Sequence, residues 1–235
     1  MISTLKTGLS QDISAIHTEF DSLIARRARR RLDAVVEYFP VFMAWLVEPF
    51  LTESLAPRVE TTILSAGRIH LYARILDDGL DENLPVYRRN LLRAQPLFFE
   101  AVQTLAVLYP DQLESMTTLI RETVEAVQQD DHRTAQAYWG QKNHHLLLAP
   151  LLLSGNSAAY QACRPGLSSL IALSQAGDEW RQGRLFDPNE RQVFLSWLSG
   201  ALSSNQLQPL LTHGWNSAAE RIVREARQLL TVLDF

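Results

Sequence analysis

Three closely spaced aspartates are the clearest candidates for chemistry in this chain. Asp77 and Asp78 are adjacent, and Asp81 lies four residues after Asp77. On a helix, spacings of three and four place carboxylates on one face, where like charges repel by roughly 0.2–0.5 kcal/mol per pair. The preceding residues are mostly apolar, so the cluster borders a core and favours a compensating cation. Oxygen ligands of this kind suit Mg²⁺, with Mn²⁺ as the alternative ion, whereas a solvated acidic helix end is the competing interpretation.

A second acidic pair lies far along the chain, on a later predicted helix. Asp178 follows Asp77 by 101 residues, and Glu179 is next to it. Gln182 stands where a third acidic residue would complete the pattern, so this motif is reduced. Taken alone, such a pair is commonly an exposed helix end.

A helical chain in which Asp-Asp-x-x-Asp ends an apolar helix resembles the class I isoprenoid synthases, that is, the trans-prenyltransferases and class I terpene synthases. In that family the aspartates hold Mg²⁺, which binds and activates an allylic prenyl diphosphate. The resemblance implies this role for Asp77, Asp78 and Asp81, within a helical bundle that has a central active-site cavity. It also implies that Asp178 and Glu179, on the later helix, bind metal. It extends from about residue 58 to residue 187.

The resemblance also implies basic residues that bind the diphosphate. Lys142 lies between the two acidic motifs, where the family places a lysine that contacts diphosphate. Arg88 and Arg89 follow the first motif, although later than the arginine pair of prenyltransferases does, and Arg181 adjoins the second. For each of them a solvated side chain is the alternative interpretation.

An isoprenoid tail requires an apolar pocket, and an aromatic face can stabilise a carbocation. The candidate lining residues lie near the first motif or farther along the chain: Ile69, His70, Tyr72, Ala73, Phe98, Phe99, Trp139 and Gln175. For any single one, ordinary core packing is the alternative. His144 and His145 can line the pocket mouth, but adjacent histidines on a helix point to different sides and do not predict a joint metal site.

The sequence leaves three functions open. The first is a synthase that ionises geranyl, farnesyl or geranylgeranyl diphosphate, then cyclises or rearranges the cation and releases pyrophosphate. The second is a prenyltransferase that joins isopentenyl diphosphate or another prenyl acceptor. That reaction needs a second diphosphate site, which only the basic run Arg26–Arg31 or the pair Arg88 and Arg89 can supply. The third is a non-catalytic helical homologue that binds a partner.

The elements that must position these residues are helices. Apolar residues recur at steps of three and four almost throughout the 235 residues, so we predict one all-α domain over 1–235. Ser10 is a candidate helix cap, and a long helix is expected from about residue 58 to residue 81. Pro40 and the pair Pro165 and Gly166 are expected to kink or interrupt helices.

Composition limits the remaining possibilities. The net charge is −4 and no nucleic-acid motif is found, so nucleic acid is not an expected partner. Cys163 is the only cysteine, which excludes an intrachain disulfide and favours a reducing compartment. We find neither a signal peptide nor a membrane span, so a cytoplasmic location is expected. Dimers are frequent in the resembled family, which makes a homodimer an option.

Overall fold

The computed structural model describes residues 1–52, 56–82, 84–128, 141–155, 157–181 and 191–233; within these ranges the side chains of 56, 80–82, 127, 128, 141, 142, 157 and 179 are not described. Throughout these ranges the chain is helix, turn or loop, with no β-strand. The predicted all-α class is therefore confirmed. A bundle of the isoprenoid-synthase type, with its central cavity, stays a prediction.

Helices follow one another with short connections. The α-helices are α1 Ile2–Ile16, α2 Leu23–Leu46, α3 Ala56–Glu82, α4 Pro85–Leu108, α5 Leu113–Gln128, α6 Leu148–Ser154, α7 Ser157–Arg181, α8 Arg191–Ala201, α9 Ser204–Thr212 and α10 Asn216–Leu233. Short 3₁₀ helices cover Glu48–Phe50, Pro110–Gln112 and Gln141–Leu147. The chain divides into two compact units, the first of Met1–Ala44 and Leu51–Leu113, the second of Trp45–Phe50 and Glu114–Phe235. The predicted single domain stays a prediction.

In the first unit, α3 packs along α4, and α1 packs against both. Leu9, Ile13 and Ile63 are fully buried in its core. A bidentate ion pair also ties α1 to α3, because Arg68 Nε and Nη2 donate to the Asp12 carboxylate at 2.9 and 3.2 Å. These contacts fix the long helix that carries the first acidic motif.

In the second unit, α7 packs against α6, α9 and α10. The segment Trp45–Phe50 belongs to this unit because Trp215 Nε1 donates to the Leu46 carbonyl at 2.7 Å. Glu48 completes the attachment, since its two carboxylate oxygens accept from the amide and the hydroxyl of Ser217 at 2.9 and 2.8 Å. A carboxylate at this first turn satisfies an otherwise unpaired amide of α10.

Several helix ends differ from those expected. Ser10 lies inside α1 rather than at its start, and Ser22 takes the capping role for α2, its Oγ accepting from Ala25 N at 3.0 Å. Pro40 and Pro165 lie within continuous helices. A proline inside a helix removes one backbone donor and clashes with the carbonyl four residues earlier. Packing of buried neighbours such as Phe39 and Leu167 holds these helices together.

Gly166 marks a close approach of α7 to α9. A Cβ at this position would lie 2.7 Å from Leu210 Cδ1 and 2.9 Å from the Gln206 carbonyl oxygen. Leu210 can yield, but the backbone of Gln206 cannot without moving α9. Packing therefore requires glycine at this position, although glycine destabilises the interior of a helix relative to alanine.

We expect Gly166→Ala to lower the free energy of unfolding by about 1–3 kcal/mol, because overpacking outweighs the gain in helix propensity. Gly177→Ala is the matched control on the same helix, where the nearest atom, Arg181 Nη2, would be 3.6 Å away. We expect that control to be neutral or to stabilise by up to about 1 kcal/mol. Urea unfolding followed by circular dichroism measures both, and equal stabilities would contradict the close approach.

Candidate metal and diphosphate site

Asp77 and Asp78, in the last two turns of α3, face different surroundings. The side chain of Asp77 is 55% exposed, whereas that of Asp78 is 2% exposed. Successive residues of an α-helix are rotated by about 100°, so adjacent carboxylates diverge. The helix continues to Glu82, so positions 77 and 81 are one turn apart. The Asp81 side chain lies outside the described residues.

Asp78 is held by two arginines. Its Oδ1 accepts from Arg31 Nη1 at 2.7 Å and from Arg74 Nη2 at 2.8 Å. Arg74 also approaches Asp77, with Nη1 3.4 Å from Oδ2. A buried carboxylate requires such compensation. In the structure the Asp78 carboxylate is buried and its charge is compensated by these two arginines. Its predicted role in metal binding stays a prediction.

The basic run of α2 contributes to this site. The sequence predicts Arg26–Arg31 as a candidate second diphosphate site, and in the structure Arg31 pairs with Asp78. Arg29, in the same run, pairs with Asp33 one helical turn away at 2.8 Å. The sequence analysis did not identify Arg74 as a site residue. It lies three residues before Asp77 and four before Asp78, and these are the helical spacings at which ion pairs form.

The second acidic motif ends α7, in the second unit. Asp178 is exposed, and its Oδ1 accepts from Arg181 Nη2 at 2.7 Å. Arg181 Nε also donates to the carbonyl of Gly177 at 3.0 Å. Arg181, predicted to bind diphosphate, is thus paired with the neighbouring carboxylate. Three other predicted site groups lie outside the described residues: the side chains of Lys142 and Glu179, and all of Trp139. Gln182 lies outside them as well.

The arginine pair after the first motif lies at the start of α4. Arg89 forms a two-pronged ion pair with Glu19, in which Nη2 donates to Oε2 at 2.6 Å and Nε donates to Oε1. This hydrogen bonding from Arg89 lowers the pKa of Glu19 below its ordinary value. Arg88 is exposed. Arg89 is therefore engaged with a carboxylate of the same unit.

The predicted pocket residues do not share one environment. Tyr72 stacks on Phe98 with ring centroids 4.6 Å apart, and Phe99 is exposed. His70 is buried, stacks on Phe39 at 5.3 Å and hydrogen bonds to the Tyr38 hydroxyl. Ile69 is buried, whereas Ala73 and Gln175 are half-buried.

Two open grooves are described, one between α1 and α2 and one along α9 and α10. Neither groove includes any of the predicted pocket residues, so the pocket stays a prediction. Within the described part of the chain, no group of three or more His, Cys, Asp or Glu side chains is placed to hold a metal ion. That statement does not cover the side chains of Asp81 and Glu179, which lie outside the described residues.

His145, on the 3₁₀ helix Gln141–Leu147, is expected to make stability depend on pH. Burial, aided by the adjacent His144, lowers the pKa of His145 to about 4. An unfolded histidine titrates near 6.5, so between these values the unfolded state binds more protons than the folded state. Stability therefore falls as the pH falls, and we expect a loss of about 2 kcal/mol between pH 7 and pH 5.

Urea unfolding at pH 7 and pH 5 measures this loss. His145→Gln should reduce the pH dependence, whereas His213→Gln, at an exposed position, should leave it unchanged. Identical pH dependence in the wild type and His145→Gln would show that another group is responsible.

Comparison with known proteins identifies no relative: no protein-family model, curated protein or solved structure matches this chain. In the described residues, no helix combines the length and apolar character needed to cross a bilayer.

Proposed function

We propose that this chain is a Mg²⁺-dependent class I isoprenoid synthase, which ionises an allylic prenyl diphosphate and cyclises or rearranges the cation. The observation that carries the proposal is the divergence of Asp77 and Asp78 at the end of α3. One carboxylate faces solvent, and the other holds two guanidinium groups beside it. A metal–diphosphate complex needs both a carboxylate for the cation and guanidinium groups for the phosphate oxygens.

The residues present fit the ion in part. The Asp77 carboxylate is exposed, and its 3.4 Å pair with Arg74 is long, so a hydrated cation can compete for it. Asp178 is also exposed, but its 2.7 Å pair with Arg181 is closer. Asp78 does not fit, because both its burial and its arginine partners oppose metal binding. When bound, Mg²⁺ would neutralise charge on the diphosphate leaving group.

The chain's own groups account for orientation of the diphosphate. Asp78 fixes Arg31 and Arg74 through charge-assisted hydrogen bonds to one oxygen. The side chains of Arg31 and Arg74 remain 25% and 38% exposed, so part of each guanidinium is accessible to a phosphate oxygen. Planar, pre-oriented guanidinium groups suit phosphate better than mobile lysines do. Asp78 is thus a positioning residue in this proposal.

Ionisation of one substrate is favoured over chain elongation. Elongation requires a second diphosphate site, for which the candidates were Arg26–Arg31 and the pair Arg88 and Arg89. In this proposal Arg31 is already used for the first diphosphate, Arg29 pairs with Asp33, and Arg89 pairs with Glu19. These pairs engage part of both candidate sets.

A non-catalytic homologue that binds a partner is the second candidate. The observation favouring it is that Arg31 and Arg74 compensate the charge of Asp78. In that case the cluster at the end of α3 is a structural ion-pair network, and Asp77 is a solvated surface residue.

One experiment separates these functions. The purified chain is incubated with Mg²⁺ and with geranyl, farnesyl or geranylgeranyl diphosphate, each with and without isopentenyl diphosphate. Free pyrophosphate and organic products are then measured, with EDTA as the control. Pyrophosphate release from one substrate alone, abolished by EDTA, is the expected result. Dependence on isopentenyl diphosphate would replace the synthase by the prenyltransferase, and no turnover would favour the partner-binding homologue.

A further inference from the structure

Four polar side chains meet inside the second unit, at a place the proposed function does not use. Glu122 lies on α5, His144 on the Gln141–Leu147 turn, and Arg164 and Ser168 on α7. Ser168 precedes Asp178 by ten residues, or about 15 Å along the helix. The cluster is therefore separate from the acidic end of α7.

Three of these side chains form a continuous hydrogen-bonded chain. Ser168 Oγ is 3.2 Å from His144 Nε2, and His144 Nδ1 is 3.3 Å from Glu122 Oε2. A carboxylate can only accept, so the hydrogen bond to Glu122 requires the proton on Nδ1. Nε2 is then left as an acceptor facing the serine hydroxyl. The opposite tautomer would set a nitrogen lone pair against the carboxylate and leave only a 3.4 Å contact with Arg164 Nη2.

The orientation of the Ser168 hydroxyl differs from that of several other helical hydroxyls in this protein. Thr7, Ser14 and Thr123 each donate to the carbonyl four residues earlier, at 2.9–3.1 Å. Ser and Thr side chains inside helices commonly form this hydrogen bond to the carbonyl four residues earlier. Ser168 is turned toward His144 instead, so its hydroxyl is positioned by the histidine rather than by its own helix.

Accessibility also suits a reactive group. His144 is buried, which protects its hydrogen bonds from water, whereas Ser168 and Glu122 are half-buried and border solvent. Arg164 donates to Glu122 and lies one turn before Ser168, on the same face of α7. A guanidinium there can counter negative charge that develops beside the serine oxygen.

From this geometry we infer that Glu122, His144 and Ser168 form a nucleophilic relay, in which Ser168 attacks carboxylic esters. Ser168 Oγ bonds to the carbonyl carbon while its proton moves to His144 Nε2. The tetrahedral oxyanion then expels the ester alkoxide, which takes the proton from His144 and leaves as an alcohol. Water, deprotonated by His144, hydrolyses the acyl-serine to a carboxylic acid and restores Ser168. Glu122 holds the tautomer of His144 and is a positioning residue.

Labelling with a fluorophosphonate tests the inference on the full chain. The reagent forms a P–O bond with an activated serine and loses fluoride, and peptide mass spectrometry locates the label. We expect labelling at Ser168, with hydrolysis of p-nitrophenyl butyrate, and loss of both in Ser168→Ala. Ser169→Ala is the matched control, because that neighbouring hydroxyl donates to Gln206 Oε1 at 2.7 Å and faces another helix. Neither Mg²⁺ nor a diphosphate is required.

Substitution of the base should slow labelling without removing the serine. His144→Gln is expected to lower the labelling rate by about 100-fold, the usual contribution of general-base catalysis. Since His144 is buried and this variant can lose structure, Glu122→Gln at the edge of the cluster is the second variant, with an expected loss of at least about tenfold. Circular dichroism confirms that each variant is folded.

The pH profile of wild-type labelling distinguishes a base from a merely structural histidine. Burial and the charge of Arg164 lower the pKa of His144 below its ordinary value, and Glu122 opposes them. His145 is the adjacent titratable group, and it too is neutral at pH 7. The rate should therefore be constant near neutrality and fall only as the pH drops below about 6.5. Absence of label at Ser168 in the folded wild type, or an unchanged rate in both base variants, would overturn the inference.

Discussion

Replacing Asp77 by asparagine is expected to lower Mg²⁺-dependent pyrophosphate release at least about 100-fold, equivalent to about 2.7 kcal/mol of transition-state stabilisation. Asparagine keeps the size of the side chain but removes the charge that attracts the cation. Asp77 is exposed, so the free energy of unfolding should change by no more than about 0.5 kcal/mol. Loss of turnover without loss of stability is the signature of a site residue.

The measurement is pyrophosphate release from the best allylic substrate over a range of Mg²⁺ concentrations. Asp111→Asn is the matched control, an exposed carboxylate of the same unit in the Pro110–Gln112 turn. We expect its activity to equal that of the wild type. Undiminished turnover of Asp77→Asn would remove Asp77 from the proposed site.

Replacing Asp78 by asparagine is expected to destabilise the protein by about 2–3 kcal/mol. Breaking a buried ion pair typically costs about 3–5 kcal/mol, because one charge is left uncompensated. Here the expected loss is smaller, because the orphaned charges of Arg31 and Arg74 are partly exposed and can turn toward water. For a chain of this size the melting temperature should fall by about 5–10 °C.

Urea unfolding and thermal melting measure this loss, and Asp33→Asn provides the control. Asp33 is the exposed partner of Arg29 on α2, and its pair is a surface pair one helical turn long. Such pairs contribute about 0.3–0.5 kcal/mol. Equal stability of Asp78→Asn and Asp33→Asn would show that the two arginines do not depend on Asp78.

The sequence predicted the helices well where proline and periodicity agree. The helix expected over residues 58–81 corresponds to α3, Ala56–Glu82. Its limits could be predicted because Pro57 lies in the first turn of α3 and Pro85 begins α4. The sequence was less informative where packing between helices determines whether a helix continues. Gly166 predicted an interruption, yet α7 is continuous there, because the glycine serves a close contact with α9. That contact depends on Gln206 and Leu210, which no local pattern near residue 166 indicates.

The same limit applies to the candidate site. The acidic residues could be identified as candidate metal ligands from their spacing alone, because carboxylates one helical turn apart form a local sequence pattern. Spacing could not separate Asp77 from Asp78, because the difference depends on Arg31, 47 residues away. Nor could it bring His144 to Ser168, which lie 24 residues apart and meet only once α7 has packed. Local periodicity predicts the helix on which a residue lies. The role of that residue depends on the side chain that it contacts from a distant part of the sequence.

The attachment of Trp45–Phe50 to the second unit constrains how the chain can be dissected. A fragment beginning at Glu114 would retain Trp215 but lose the Leu46 carbonyl that accepts from its indole, and Phe50, whose ring packs edge-on 5.6 Å away. It would also lose the Glu48 carboxylate at the start of α10. The two units therefore cannot be separated by a single cut between them. A faithful excision of the second unit has to carry residues 45–50 along, as a fused segment or an added peptide.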